Sequence, residues 1–286
     1  MKHMKKWLAL ALALVLALAL AVPAFAADLT WEDMAGDNSV LAKEDAYTPE
    51  TVQKALDAFA KYCDTPDGSQ EEKDAYEAFE DAIMGLKFKA HTFTDAPSNW
   101  WDEALNYVCS TGMMNGVAPG KFDPQGTMTR AMAVTILWRM NGEQKAQASA
   151  GFSDVPAGLW YSDAVDWAME LKITNGKTPT TFDPNAPVTR EQMAAFFSRM
   201  LLALIGEDAP VVPEAALRSE LGKHYTDAAE ISSYALVHVA ICLETGVMKG
   251  NANGTFAPLA NITRAQGAQM LLNYYEFLVE ATFLDL

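Results

Sequence analysis

The chain has 286 residues, half of them hydrophobic, and carries 37 acidic against 21 basic side chains for a formal net charge of −16. So acidic a chain is a poor partner for nucleic acid and does not adhere non-specifically to an anionic polymer, so any attraction to an anion must come from a few well-placed cations. Its three cysteines, Cys63, Cys109 and Cys242, are odd in number and widely spaced, which excludes the dense disulfide framework of small secreted domains and suits buried thiols.

At the start of the chain Lys2, Lys5 and Lys6 precede an apolar run from Trp7 to Val22, followed by Pro23 and Ala24-Phe25-Ala26. A positive region, an apolar region and an A-x-A site predict a signal peptide over residues 1–26, cut after Ala26. The competing reading is an uncleaved anchor, because the apolar run to Ala27 is long enough to span a bilayer. Cleavage removes three lysines and no acid, taking the formal charge from −16 to −19, and leaves a secreted chain with no membrane segment.

Residues 27–90 hold sixteen acidic and six basic side chains. Two helices are predicted, Pro49 to Cys63 and Gln70 to Leu86, joined by Thr65-Pro66-Asp67-Gly68, whose turn chemistry makes a short helical hairpin. Ala55, Phe59 and Tyr62 are placed to face Tyr76, Phe79 and Ile83. The role of this acidic segment is not legible; a second surface protein is its candidate partner.

Beyond it the sequence repeats itself, over residues 92–140, 151–205 and 225–280, with an insertion at 206–224 that reads as a linker with one short helix. Asp95, Asp154 and Asp227 are expected to N-cap a first helix, whose apolar members include Ala104, Leu105 and Val108 or Ala164, Val165 and Ala168. Gly112 and Gly246 suit a left-handed C-cap; Lys172 takes that place in the second repeat, so its turn must differ or carry strain. The stretch Asn251-Ala252-Asn253-Gly254 lacks the carboxylate spacing of a calcium loop and reads as a turn. Gly116, Gly176 and Gly250 each stand six residues before Phe122, Phe182 and Phe256, which are expected to plug the core, with Pro124, Pro184 and Pro258 ending each extended segment. A second helix then opens at Thr129, Thr189 and Thr263; Gln192 and Gln266 complete a capping box, and Met132 breaks it in the first repeat. One repeat cannot bury such apolar stripes alone, so mutual packing into one all-α domain is expected.

The succession F-x-D, an aromatic pair, an Ala-rich helix, a glycine turn, F-x-P and T-R resembles the S-layer homology family in three copies over roughly residues 92–280. The resemblance implies three helix-loop-helix repeats about a pseudo-threefold axis. It also implies non-covalent attachment to secondary cell-wall polysaccharide, often bearing pyruvylated N-acetylmannosamine, in grooves between adjacent repeats.

Arg130, Arg190 and Arg264 occupy the first helical position, where the macrodipole disfavours a cation by roughly 0.3–1 kcal/mol. Each calls for a compensating anion. One reading is a ligand carboxylate, held by the guanidinium and by N–H groups of the helix N-terminus; the other is an ion pair with an Asp of a neighbouring F-x-D motif. Trp100, Trp160 and Tyr234 either offer a flat face to a sugar ring or fill the core. Gly116, Gly176 and Gly250 leave room for close backbone approach of a ligand. No metal or cofactor is predicted. The rivals are a surface-lattice subunit, for which the chain is short, and a wall-glycan hydrolase, for which no H-E-x-x-H, G-x-S-x-G or phosphate loop is found. An intact-mass measurement on surface-associated protein is expected to give a chain beginning at Ala27; retention of residues 1–26 would identify an anchor instead.

Overall fold

The computed structural model describes residues 30–35, 41–66 and 68–283. The predicted signal segment over residues 1–26 lies outside them, as does Asp67 of the interhelical turn. A short helix α1 (Trp31–Ala35) and a 3-10 turn at Glu44–Ala46 lead into the hairpin of α2 (Pro49–Asp64) and α3 (Gln70–Met84). Pro49 opens α2, where its missing N–H costs nothing, and the Ser69 hydroxyl caps α3 by accepting from the Glu72 N–H at 2.9 Å. The two helices meet as their spacing predicts: Phe59 and Phe79 lie 5.2 Å apart between ring centres, Tyr62 and Tyr76 5.3 Å.

The repeats follow in order. The first contains α4 (Asp102–Ser110) and α5 (Arg130–Met140), the second α6 (Ser162–Glu170) and α7 (Arg190–Leu204), and the third α9 (Leu236–Glu244) and α10 (Arg264–Phe283). Helix α8 (Glu214–Leu221) lies in the insertion between the second and third. Among the described residues the only extended pairing is in isolated bridges, so the fold is all-α. None of the described helices is long and apolar enough to cross a membrane.

The repeats exchange helices. The main helix contacts pair α5 with α6, α7 with α9, and α10 with α4, so the second helix of each repeat lies on the first helix of the next and the third closes back on the first. At the centre Met128 N–H donates to the Ile262 carbonyl (2.9 Å), Val188 N–H to Met128 (3.0 Å) and Ile262 N–H to Val188 (3.1 Å). This ring of three hydrogen bonds marks the pseudo-threefold axis. Around it Phe122, Phe182 and Phe256 are fully buried, as expected of core plugs, together with Ala104, Val108, Ala164, Val165 and Ala168.

The aspartates of the F-x-D motif do not cap the first helices. Those helices start at N-cap positions Trp101, Tyr161 and Ala235, none with a side-chain cap bond. Asp95 instead accepts from the backbone N–H groups of Phe122 (2.9 Å) and Asp123 (3.0 Å), Asp154 from Phe182 (2.8 Å) and Asp183 (2.7 Å), and Asp227 from Phe256 and Ala257 (both 2.7 Å). Asp123, Asp183 and Ala257 have φ of 58°, 61° and 55°, a left-handed conformation. It turns two successive N–H groups toward one point with no helical acceptor, and a carboxylate satisfies both. The Phe122 N–H bond is foremost in holding the Asp95 carboxyl below its ordinary range; at Asp154 burial works the other way and is outweighed by the Phe182 and Asp183 N–H groups and nearby Arg130. Gly112 and Gly246 sit just past their helices with φ of 71° and 75°, and Lys172 adopts 56° at the same place, so the second repeat carries the strain there.

The acidic hairpin is not a free arm. Its core includes Val279 of α10, the Tyr47 and Tyr275 hydroxyls share a hydrogen bond of 2.5 Å, and Phe88 packs on Tyr47 at 4.8 Å and on Tyr107 of α4 at 4.9 Å. The three cysteines are free thiols, Cys242 buried and Cys63 and Cys109 half-buried. Because removing α9 and α10 takes away the partners of both α7 and α4, a chain ending at residue 205 is expected to lose its cooperative melting transition. Circular dichroism on the truncated protein checks this; a sharp transition at the parent temperature would show that two repeats suffice.

Candidate ligand-binding grooves

Helices α5, α7 and α10 all start against a neighbouring repeat. Thr129 and Thr189 cap α5 and α7 through their side chains, and the capping box is complete at Gln192; at α10 Thr263 and Gln266 exchange the same two bonds. In the first repeat only the Thr129 half of the box is made, as Met132 requires. The next donors are also taken. Arg130 and Ala131 N–H donate to Ala186 and Pro184 of the second repeat, Arg190 and Glu191 N–H to Ala260 and Pro258 of the third, and Arg264 and Ala265 N–H to Gly126 and Pro124 of the first. The helix N-termini therefore have no free N–H for a ligand, contrary to the expectation from their polarity alone.

The three arginines are buried, at 6%, 5% and 8% exposure, and none lies in an ion pair among the described residues. Each crosses to the next repeat. Arg130 Nε donates to the Phe182 carbonyl (2.9 Å), Arg190 Nε to Phe256 (2.6 Å) and Arg264 Nε to Phe122 (2.9 Å), and each guanidinium carbon lies 4.6 to 5.0 Å from the ring centre of the same phenylalanine. Arg190 Nη2 adds a bond to the Lys249 carbonyl (2.9 Å) and Arg264 Nη2 one to Asn115 (2.7 Å). The ion-pair reading fails because the F-x-D carboxylates are spent on backbone N–H groups. The cations are held by carbonyl dipoles and aromatic faces; burial lowers all three pKa values from the ordinary guanidinium value, opposed by Asp154, Asp227 and Asp95 of the next repeat, which lie at electrostatic rather than ion-pair distance.

Around this interlock the structure brings residues of all three repeats together. A cavity of ≈ 370 Å³ is lined by Trp100 of the first repeat, Arg190 of the second, and Lys249, Gly250, Gln266, Gln269 and Asn273 of the third, among others. Trp100 is 54% exposed, while its neighbour Trp101 takes the core position at 6%. Among the described residues Arg190 Nη1 has no protein partner, Lys249 is exposed, and no carboxylate lines the cavity. Asp227 and Glu276 lie within electrostatic reach of Arg190 and Lys249 but outside the lining, so on a chain of net charge −16 the cavity wall itself is cationic. Lys249 was missed from sequence, since a lone lysine before a glycine has no pattern. Its counterparts before Gly116 and Gly176 are Asn115 and Asn175.

The remaining predicted residues fall at the two equivalent places. Trp160 is 58% exposed and packs edge-on against Tyr161, and Arg264 contacts Asn115 beside Gly116. Tyr234 is 47% exposed and lies within electrostatic reach of Arg130, whose Nη1 approaches Gln192 Oε1 at 3.4 Å beyond Gly176. The glycines serve their own loops: a Cβ on Gly116 would come within 2.5 Å of the Lys121 carbonyl, on Gly176 within 2.6 Å of the Phe152 ring, and on Gly250 within 2.6 Å of the Tyr225 ring. A larger cavity of ≈ 430 Å³ at the end of α7 is lined by Lys172, Arg199 and His238 but also by Glu207 and Asp208, and includes none of the predicted site residues.

Three helix-loop-helix repeats in a closed cycle are the architecture that the resemblance to the S-layer homology family implied. Residues 92–133, 151–194 and 224–268 each match the S-layer homology domain, and the chain belongs to the proteins that carry three of them. It is 28% identical to an amylopullulanase of Thermoanaerobacterium thermosulfurigenes over 65% of this chain and 10% of that protein. It is 32% identical to the surface-layer 125 kDa protein of Lysinibacillus sphaericus over 58% of this chain and 13% of that one. With S-layer protein EA1 of Bacillus anthracis the identity is 29%, over 52% and 15%. The chain thus spans less than a fifth of the length of each of these relatives.

Arg190→Ala and Arg264→Ala each strand two carbonyls in a neighbouring repeat and are expected to destabilise the fold by about 2–4 kcal/mol. Arg130→Ala strands one carbonyl and also removes a buried Nη2 that has no partner, so its effect is expected to be smaller. Urea unfolding of the three variants checks this order, and equal or negligible losses would contradict it.

Proposed function

We propose that this chain attaches non-covalently to bacterial cell-wall carbohydrate, with an acidic wall polysaccharide carrying pyruvylated sugars as the ligand. The observation that carries the reading is the acid-free cavity where Trp100, Arg190 and Lys249 converge from three different repeats. Trp100 supplies a flat apolar face for a sugar ring, and the amides of Gln266 and Gln269 suit hydroxyl or acetamido groups. Arg190 Nη1 and Lys249 Nζ are the donors for the ligand carboxylate. Both residues line the same cavity as Trp100.

The relatives support the coarser statement of cell-wall anchoring. Proteins named as an enzyme and as surface-layer proteins share with this chain only a stretch the size of its repeats, so the common part answers to a common task of attachment. In this reading the chain is an attachment module at the cell surface and not an enzyme. A partner for residues 27–90 must use the exposed acidic faces of α2 and α3, since their apolar faces are closed against each other and against α10.

Trp100 and Lys249 are exposed and make no contact that the fold requires, so Trp100→Ala and Lys249→Ala are expected to melt like the parent. Lys249→Ala is expected to weaken its groove about tenfold or more, and Trp100→Ala several-fold. Co-sedimentation with purified walls, before and after extraction of the non-peptidoglycan polymer, measures both. Undiminished binding by both variants, or binding that survives extraction, would overturn the assignment.

A further inference from the structure

The three grooves are related by the cyclic exchange, and one of them differs in a single buried carboxylate. Position two of α7 is Glu191, where α5 has Ala131 and α10 has Ala265. Glu191 is 4% exposed and its carboxylate accepts three hydrogen bonds from the third repeat: Ser232 N–H at 3.0 Å, Ser232 Oγ at 2.8 Å and Tyr234 Oη at 3.1 Å. Tyr234 is the counterpart of Trp100 and Trp160.

The reason for the carboxylate lies in the turn that enters the first helix. In the first repeat that turn is tied by Asp102, which accepts from the Asn99 N–H at 2.9 Å and from Ser98; in the second it is tied by Ser162, which accepts from the Leu159 N–H at 3.0 Å. In the third repeat the equivalent residue is Leu236, which has no acceptor side chain, and the turn is tied one residue earlier, where Glu191 reaches across from the second repeat to accept from the Ser232 N–H and hydroxyl. The substitute brings a negative charge to the aromatic residue of the groove. It also takes the Tyr234 hydroxyl, the polar end of that ring.

The cation of this groove is withdrawn as well. Among the described residues Arg190 and Arg264 each leave Nη1 without a protein partner, whereas Arg130 turns Nη1 toward Gln192 Oε1 and has its Nη2 enclosed by protein. A ligand carboxylate entering beside Tyr234 meets a fixed carboxylate, an Arg130 whose Nη1 is turned to Gln192 and whose Nη2 is enclosed, and Arg199, which donates Nη1 to the Ile173 carbonyl; beside Trp100 it meets Lys249 and Arg190 with no acid in the cavity lining. We propose that Glu191 closes the Tyr234 groove to anionic sugars, so that the chain presents two working grooves, at Trp100 and Trp160, rather than three. This rests on the reading of the grooves as carbohydrate sites.

Titration calorimetry with a monovalent probe, a methyl glycoside of pyruvylated N-acetylmannosamine, reads the number of sites directly. The parent is expected to bind two equivalents; Trp100→Ala and Trp160→Ala are each expected to keep one at the parent affinity and to bind the other several-fold more weakly, and Tyr234→Ala is expected to match the parent. Glu191→Gln keeps the acceptor for Ser232 and removes the charge, and is expected to raise the number to three. The proposal is overturned if the parent binds three equivalents and Tyr234→Ala weakens one of them, or if a Glu191→Gln variant that melts like the parent stays at two. Absence of binding to both the probe and whole walls defeats the carbohydrate reading itself, a result distinct from three equal sites, which leaves that reading intact.

Discussion

Everything in this molecule depends on the first turn of three helices being completed by somebody else's backbone. An isolated helix N-terminus leaves four N–H groups unsatisfied. Here the Thr hydroxyl takes one and the loop of the next repeat takes two more, while an arginine at the first helical position runs the other way to bond the carbonyl of that repeat's core phenylalanine. Donors and acceptors are thus matched across the joints, save for the buried Nη2 of Arg130. A cation where the macrodipole is least favourable to it is held by an aromatic face and by two carbonyls at Arg190 and Arg264, one at Arg130, an arrangement a lysine cannot reproduce because it lacks the planar fork.

The same joint sets the ligand surface. Because the arginine is pulled into the interface through Nε and Nη2, only its remaining edge is left to the groove at Arg190, and the loop that receives it places Lys249 and Gly250 alongside. The aromatic wall comes from the preceding turn of yet another repeat. No single repeat contains a whole groove, so in the proposed reading folding and recognition meet at the arginines, while Trp100 and Lys249 serve the groove alone.

The helices, the plugs and the order of the repeats were legible because they follow from spacing: a capping threonine, an apolar stripe, a phenylalanine eight residues before an arginine. What the three copies do to one another was less so. The F-x-D carboxylates look like helix caps in a linear reading, but they serve a pair of N–H groups some 27 to 30 residues downstream, created by a left-handed residue that no pattern announces. The arginines stand out in the linear reading as cations at an unfavourable helix position, but the backbone carbonyls and ring faces of another repeat that hold them leave no mark in composition, and the ion pair expected with an F-x-D aspartate is not formed. Trp100 and Trp101 are identical in sequence terms and opposite in place, one exposed and one in the core. Lys249 acquires its meaning only from Arg190 and Trp100, which lie far from it along the chain.

The ring at Met128, Val188 and Ile262 also fixes arithmetic. In an open solenoid each unit touches only its neighbours, so units are gained or lost one at a time at the ends. Here the last unit docks on the first, and an extra copy inserted anywhere finds both of its faces already claimed. Growth by single duplication is therefore barred to this architecture. A lineage that needs a firmer hold on its wall must duplicate whole triplets, or sharpen individual grooves within a number it cannot change.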